Sequence, residues 1–125
     1  HLQGMDLTLA LSYGGRGEIV YAARCLAAEA ACGAVDPAQI DEAMFSQRLY
    51  EPALPDVDLL IRTSGECRIS NFLLWQTAYA EIVISPLFWP DFSKQEYLRC
   101  LHAYSLRERR FGRTSEQIKS DMGGG

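Results

Sequence analysis

Short apolar runs that end abruptly in polar, glycine-containing loops constrain this chain most. Leu7-Thr8-Leu9-Ala10-Leu11-Ser12 runs into Tyr13-Gly14-Gly15, and Asp56-Val57-Asp58-Leu59-Leu60-Ile61-Arg62 runs into Thr63-Ser64-Gly65-Glu66. Glu81-Ile82-Val83-Ile84-Ser85 stops at Pro86. Runs of this length and composition suit strands buried on both faces of a parallel sheet. Between them the spacing changes. Ile19, Val20, Ala23, Leu26, Ala27 and Ala30 recur at three- and four-residue intervals, which predicts a helix from about Arg16 to Ala31 with Gly33 as its stop. Asp36-Pro37 predicts a second helix running through Ile40 and Met44, opened by a cap and a first-turn proline. Pro52 and Pro55 mark the next loop. Ser70 and Asn71 are expected to cap a third helix whose face includes Phe72, Leu73, Trp75, Gln76 and Tyr79. The capping box Ser93-Lys94-Gln95-Glu96 predicts a fourth, reaching about Arg110. Strands alternating with helices over short connections define the expected fold class: α/β, an open parallel sheet flanked by helices. Three strands would leave apolar edges. The sheet is therefore expected to be incomplete in this chain, with upstream sequence or a partner covering it. The chain enters its first apolar run almost at once after His1, as a chain cut in mid-fold would.

At 125 residues and 48% hydrophobic content, one domain or a piece of one is the ceiling. A net charge of −4 lacks the basic balance that neutralising a phosphate backbone requires, so nucleic acid is an unexpected partner. Of the 12 cationic residues only Lys94 and Lys119 are lysines. Either the base composition favours arginine codons or guanidinium chemistry is in use, since the planar guanidinium grips phosphate through two parallel hydrogen bonds. Cys25, Cys32, Cys67 and Cys100 contain no C-x-x-C pair, and the histidines are His1 and His102. This is neither a zinc pattern nor a disulfide framework, and single thiols in a reducing compartment are expected. No run approaches the roughly 20 apolar residues of a membrane span. The tail Met122-Gly123-Gly124-Gly125 is expected to be flexible.

One constellation points to chemistry. Arg62 ends a predicted strand, Arg68 lies in the polar loop after it, and Ser70 stands where the next helix is expected to start. Ligand loops of α/β sheets occupy this carboxyl edge. Two guanidiniums, a hydroxyl and free N–H groups at a helix start would together hold a multiply charged anion, above all a diphosphate. The alternative is two solvated surface arginines.

The run from Asp58-Leu59-Leu60-Ile61-Arg62-Thr63-Ser64-Gly65-Glu66-Cys67-Arg68-Ile69-Ser70-Asn71-Phe72 through Leu73-Leu74-Trp75-Gln76-Thr77-Ala78-Tyr79-Ala80-Glu81 closely resembles the C-terminal signature of the cis-prenyltransferases of undecaprenyl diphosphate synthase type. The resemblance continues in Leu87-Phe88-Trp89-Pro90-Asp91-Phe92 and in Arg107-Glu108-Arg109-Arg110-Phe111-Gly112. Upstream, Tyr13-Gly14-Gly15-Arg16 looks like the family's Asn-Tyr-Gly-Gly-Arg, with Ser12 in place of the Asn. It implies that residues 1–125 are the C-terminal part of a single cis-prenyltransferase domain, with residues 6–112 as the core match and 113–125 as a flexible tail.

The implied activity joins isopentenyl diphosphate to an allylic diphosphate such as farnesyl diphosphate, making cis-polyprenyl diphosphate. By the same resemblance, Arg62, Arg68 and Ser70 hold the isopentenyl diphosphate, Glu81 serves Mg2+, and Arg110 and Gly112 belong to an R-x-G element that crosses a homodimer interface. Phe72, Trp75 and Tyr79 are expected as core or dimer contacts, with a lining for the growing chain as the lesser reading. The family's Asp-Gly-Asn-x-Arg loop, which carries its catalytic Asp and cradles the allylic substrate, does not occur in this sequence. Its His and its Phe-Ser-x-Glu-Asn-Trp segment are likewise absent. No catalytic residue is therefore assigned, and the chain alone is expected to be inert. A non-catalytic accessory subunit of a heteromeric enzyme is the alternative, as is an unrelated anion-binding α/β domain. The implied setting is cytoplasm or plastid stroma, with peripheral membrane association through the lipid product.

Overall fold

A computed structural model describes residues 4–107, so Arg110, Gly112 and the tail at 113–125 lie outside the described residues. The chain divides into two compact units: His1–Leu54 with Asn71–Leu73, and Pro55–Ser70 with Leu74 onward.

In the first unit, α1 spans Gly15–Ala31 and packs on the short α2, Glu42–Ser46. Helix α1 ends as its sequence dictates. Gly33 takes a left-handed φ of 76°, its N–H reaches Ala30 O at 3.0 Å, and Ala34 N–H reaches Glu29 O at 2.9 Å. This 5→2 and 6→1 pair satisfies carbonyls that the helix end leaves open. The start of α1 is less obvious, because Gly14 has no side chain to cap with. Asn71 supplies the cap from a distance. Its carbonyl accepts from Gly15 N at 2.7 Å and its Oδ1 accepts from Arg16 N at 2.8 Å. A Cβ at Gly14 would stand 2.9 Å from Asn71 Nδ2, so a side chain there would displace the capping asparagine.

The buried stripe of α1 is Gly15, Glu18, Ala22 and Leu26, while Val20, Ala23 and Ala27 face solvent. A carboxylate inside is tolerated because it is bonded. Glu18 accepts from the Tyr13 hydroxyl and, at 3.1 Å, from Tyr50 N. Burial, together with that carboxylate, pushes the Tyr13 phenol above its ordinary pKa. The Tyr13 ring meets Tyr50 and Phe72 edge-on, with centroids 6.3 and 5.8 Å apart. A forked pair fixes α2: Arg48 Nη2 and Nε reach the two Glu29 oxygens at 2.6 and 3.1 Å.

In the second unit, β1 (Leu59–Arg62) and β2 (Glu81–Ile84) run parallel in the register Leu59↔Glu81 to Arg62↔Ile84. Helix α3 (Lys94–Ser105) packs on β2. Ser93 caps it, accepting from Glu96 N at 3.2 Å. The ladder extends beyond both ends of the strands, through Glu81 N to Asp58 O at 3.0 Å and Ser85 N to Arg62 O at 2.8 Å.

Three expectations are corrected. Leu7–Ser12 is not a strand: no described strand pairs with it, and Leu7, Leu9 and Leu11 are exposed. Apolar alternation cannot make a strand without a hydrogen-bonded neighbour. The single helix expected after Asp36 is two pieces. A 3-10 turn at Pro37–Gln39 is capped by Asp36, and α2 by Asp41, whose Oδ1 accepts from Met44 N at 2.7 Å. The second aspartate restarts the chain because its side chain captures an N–H that a continuous helix would use. The helix expected over Phe72–Tyr79 is a series of turns. Ser70, Asn71 and Leu73 have φ of 53°, 64° and 44°, and left-handed residues cannot seed a right-handed helix.

Candidate anion-binding site

The site grows from the carboxyl end of β1. Arg62, the last residue of the strand, is half-buried, and its Nη2 donates to Ser70 Oγ at 3.4 Å. Its Nε is buried without a hydrogen-bond partner. A buried charged donor left unmade is costly, about 1–3 kcal/mol or more. An anionic oxygen would remove that cost and add a charge-assisted bond.

Beyond Arg62 the chain reverses. Ser64 and Gly65 both sit in the left-handed region, with φ of 65° and 66°, and their N–H groups donate to Leu87 O at 2.8 Å and Ser85 O at 2.9 Å. This turn carries the chain from Arg62 to Arg68. The exposed Arg68 guanidinium is paired with Glu66. Exposed pairs of this kind contribute little, about 0–1 kcal/mol, so a multiply charged ligand can compete for the guanidinium.

The expected residues differ in their partners. Arg62 and Ser70 are brought together, whereas Arg68 is held by Glu66 at the loop. The helix start expected to offer free N–H groups at Ser70 is absent, because the backbone there is left-handed. Glu81 stands at the first register position of β2, three registers from Arg62, about 10 Å along the strands. It accepts from Arg107 Nη1 at 3.0 Å.

Among the described residues no three acidic, His or Cys side chains gather as metal ligands. Magnesium takes one or two carboxylates together with water and substrate oxygens. Glu81 offers one such carboxylate, which is paired here with Arg107. The four cysteines are free. No helix of the described residues is long and apolar enough to cross a membrane.

Two residues that support the site were not singled out as functional from sequence. Glu96 was expected to complete a capping box, but its carboxylate instead takes the Ser85 hydroxyl at 2.6 Å and a fork from Arg99 at 2.6 and 2.9 Å. The signal available in sequence was the i, i+3 spacing of Glu96 and Arg99. Ser85, fully buried, carried no signal beyond standing at a strand end.

A parallel α/β ladder whose carboxyl edge presents an under-bonded arginine beside a serine defines the class: an α/β chain with a candidate anion site at its sheet edge. The chain belongs to the Prenyltransf family, that of undecaprenyl diphosphate synthase, whose sequence pattern matches residues 1–112. It is 50% identical over 119 residues to an isoprenyl transferase of Chlorobaculum tepidum, covering 95% of this chain and 45% of that protein. It is also 50% identical over 119 residues to the farnesyl-diphosphate-specific ditrans,polycis-undecaprenyl-diphosphate synthase of Vibrio cholerae, covering 95% of this chain and 48% of the relative. Among solved structures, lavandulyl diphosphate synthase from Lavandula x intermedia, in complex with dimethylallyl diphosphate, superposes with a TM-score of 0.75 at 44% identity, over 82% of this chain and 44% of that one. The structure of a probable undecaprenyl diphosphate synthase from Campylobacter jejuni gives a TM-score of 0.68 at 38% identity, over 82% and 45% of the two chains. The chain thus spans about half the length of the curated relatives it matches.

Proposed function

We propose that Arg62, Arg68 and Ser70 form the isopentenyl-diphosphate half of a two-substrate cis-prenyltransferase site. The single observation that carries the reading is the Arg62 guanidinium, buried at Nε without a partner and aimed through Nη2 at Ser70. In the reaction, the alkene of isopentenyl diphosphate attacks the allylic carbon of a farnesyl-diphosphate-like partner. The allylic C–O bond breaks, diphosphate leaves, and a proton is lost as the new cis double bond forms. The described residues contribute positioning. A clamped diphosphate converts an encounter into a held, aligned pair.

Arg68 would exchange Glu66 for the diphosphate as it closes. Glu81 would give Mg2+ one oxygen ligand, with its pairing to Arg107 released, while the remaining ligands come from diphosphate and water. Arg110 and Gly112 enter this reading as a cross-dimer element of a homodimer, and the allylic half-site would be supplied by residues matching the family's Asp-Gly-Asn loop. The retained Arg62 and Arg68 favour this role over a non-catalytic accessory subunit. Cytoplasm or plastid stroma, with contact to the membrane through the lipid product, completes the reading.

The test pairs binding with turnover. The 125-residue chain should bind isopentenyl diphosphate in a calorimetric titration, yet incorporate no labelled isopentenyl units when farnesyl diphosphate and Mg2+ are added. Steady incorporation by the chain alone would overturn the half-site reading. Absence of any isopentenyl-diphosphate binding would overturn the clamp.

A further inference from the structure

The turn that separates the two arginines does not hold itself. Ser64 is a non-glycine residue in the left-handed region, and Gly65 follows it there, so this reversal needs support from outside the loop. The support converges on one residue, Ser85, which is wholly buried just after β2. Ser85 N donates to Arg62 O at 2.8 Å, and Ser85 O accepts from Gly65 N at 2.9 Å. Its backbone therefore grips the chain on both sides of Thr63. Its hydroxyl accepts from Leu87 N at 3.3 Å, and Leu87 O in turn accepts from Ser64 N at 2.8 Å.

What fixes the Ser85 hydroxyl is Glu96, one turn into α3, through a 2.6 Å bond to Oε1. Glu96 is itself held in place by the Arg99 fork, and Arg99 Nη2 also reaches Ile84 O at 3.4 Å. A carboxylate so placed has two jobs available to it: capping its own helix or orienting Ser85. Helix α3 is already capped by Ser93 Oγ. The carboxylate is spent on Ser85.

We infer that Glu96 is a positioning residue for the diphosphate clamp: acting through Ser85, it fixes the Ser64–Gly65 turn and with it the placement of Arg62 and Arg68. The chain of bonds is continuous from α3 to the backbone carbonyl of Arg62 and lies entirely within the second unit. Loss of the carboxylate would leave a buried hydroxyl without its acceptor and free the turn to relax toward less strained backbone. The cation on Arg68 would then be presented over a wider range of positions, and the clamp would bind diphosphate less tightly without losing any group that touches it. This inference rests on reading Arg62, Arg68 and Ser70 as that clamp.

The experiment measures inorganic diphosphate binding by calorimetry together with amide hydrogen exchange at Ser64 and Gly65, in the whole chain. It compares the unsubstituted protein with Glu96→Ala, Glu96→Gln, Ser85→Ala, the Glu96/Ser85 double variant and Arg62→Ala. Removing one such hydrogen bond is expected to weaken diphosphate binding about three- to tenfold in Glu96→Ala and Ser85→Ala, with no further loss in the double variant. Exchange at Ser64 and Gly65 should quicken in both while the amides of α3 stay protected. Glu96→Gln keeps an oxygen for Ser85 and should recover most of the affinity, which a purely electrostatic role would not allow. If Glu96→Ala does not fold, Ser85→Ala carries the test, because it leaves the Glu96–Arg99 pair intact. Unchanged affinity and unchanged exchange at Gly65 in Ser85→Ala overturn the inference while the clamp stands. Equal binding by the unsubstituted protein and Arg62→Ala overturns the clamp, and this inference with it.

Discussion

At the scale of single residues, geometry distinguishes Arg62 from Arg48 and Arg99. Arg48 and Arg99 have their forks filled by Glu29 and Glu96, and each carboxylate is held below its ordinary pKa by the guanidinium it receives. Arg62 has a serine at 3.4 Å and a buried Nε with no acceptor. A guanidinium in that state could turn its planar fork to two oxygens of a phosphate, where an ammonium would offer a point charge without the fork. Arg62→Lys is therefore expected to weaken diphosphate binding about tenfold or more, the worth of one charge-assisted bond, while leaving the melting temperature nearly unchanged. Calorimetry beside a thermal melt checks it. Lysine binding as tightly as arginine would show that only net charge matters at this position.

At the scale of elements, α3 does more than cover β2. Glu96 is held down to a pKa of about 2, first by the Arg99 hydrogen bonds and next by the Ser85 hydroxyl. A carboxylate whose folded pKa lies below its unfolded value stabilises the fold fully above the unfolded value, near 4.5, and loses that contribution as pH falls toward about 2. Acid unfolding of the chain should accordingly shift to higher pH in Glu96→Gln, with no change in stability difference between pH 6 and 8. A difference that persists unaltered from pH 6 to pH 2 would mean that Glu96 titrates alike in both states.

The elements also show what sequence can carry. Both strands of the ladder, α1 with its Gly33 stop and the Ser93 cap of α3 were legible because each is set by local chemistry: short apolar runs, periodicity, caps. The turns at 70–79 were not. Ser70 and Asn71 look like a helix start, but the Asn71 side chain and carbonyl are committed to the first turn of α1, across 55 residues of sequence. A cap given to a distant helix leaves no local trace. The buried Glu18 was missed for the same reason, since its partners Tyr13 and Tyr50 make a polar position acceptable inside. At the site, the place of Arg62 at a strand's carboxyl end was readable, whereas Ser70 was expected at a helix start that the left-handed backbone there does not form. The Ser85–Glu96 support was hidden behind a capping box that Glu96 completes only through its backbone N–H.

At the scale of the whole molecule, family membership and a span of about half the relatives' length make one claim central: the described residues hold one substrate's diphosphate and not the other's. A differential titration tests the claim most directly. The chain, Arg62→Ala and Arg68→Ala are each titrated with isopentenyl diphosphate and with dimethylallyl diphosphate. The account predicts that both substitutions weaken isopentenyl diphosphate about tenfold or more and leave any weak allylic binding nearly unchanged. Equal losses for the two ligands, or none for either, would contradict it.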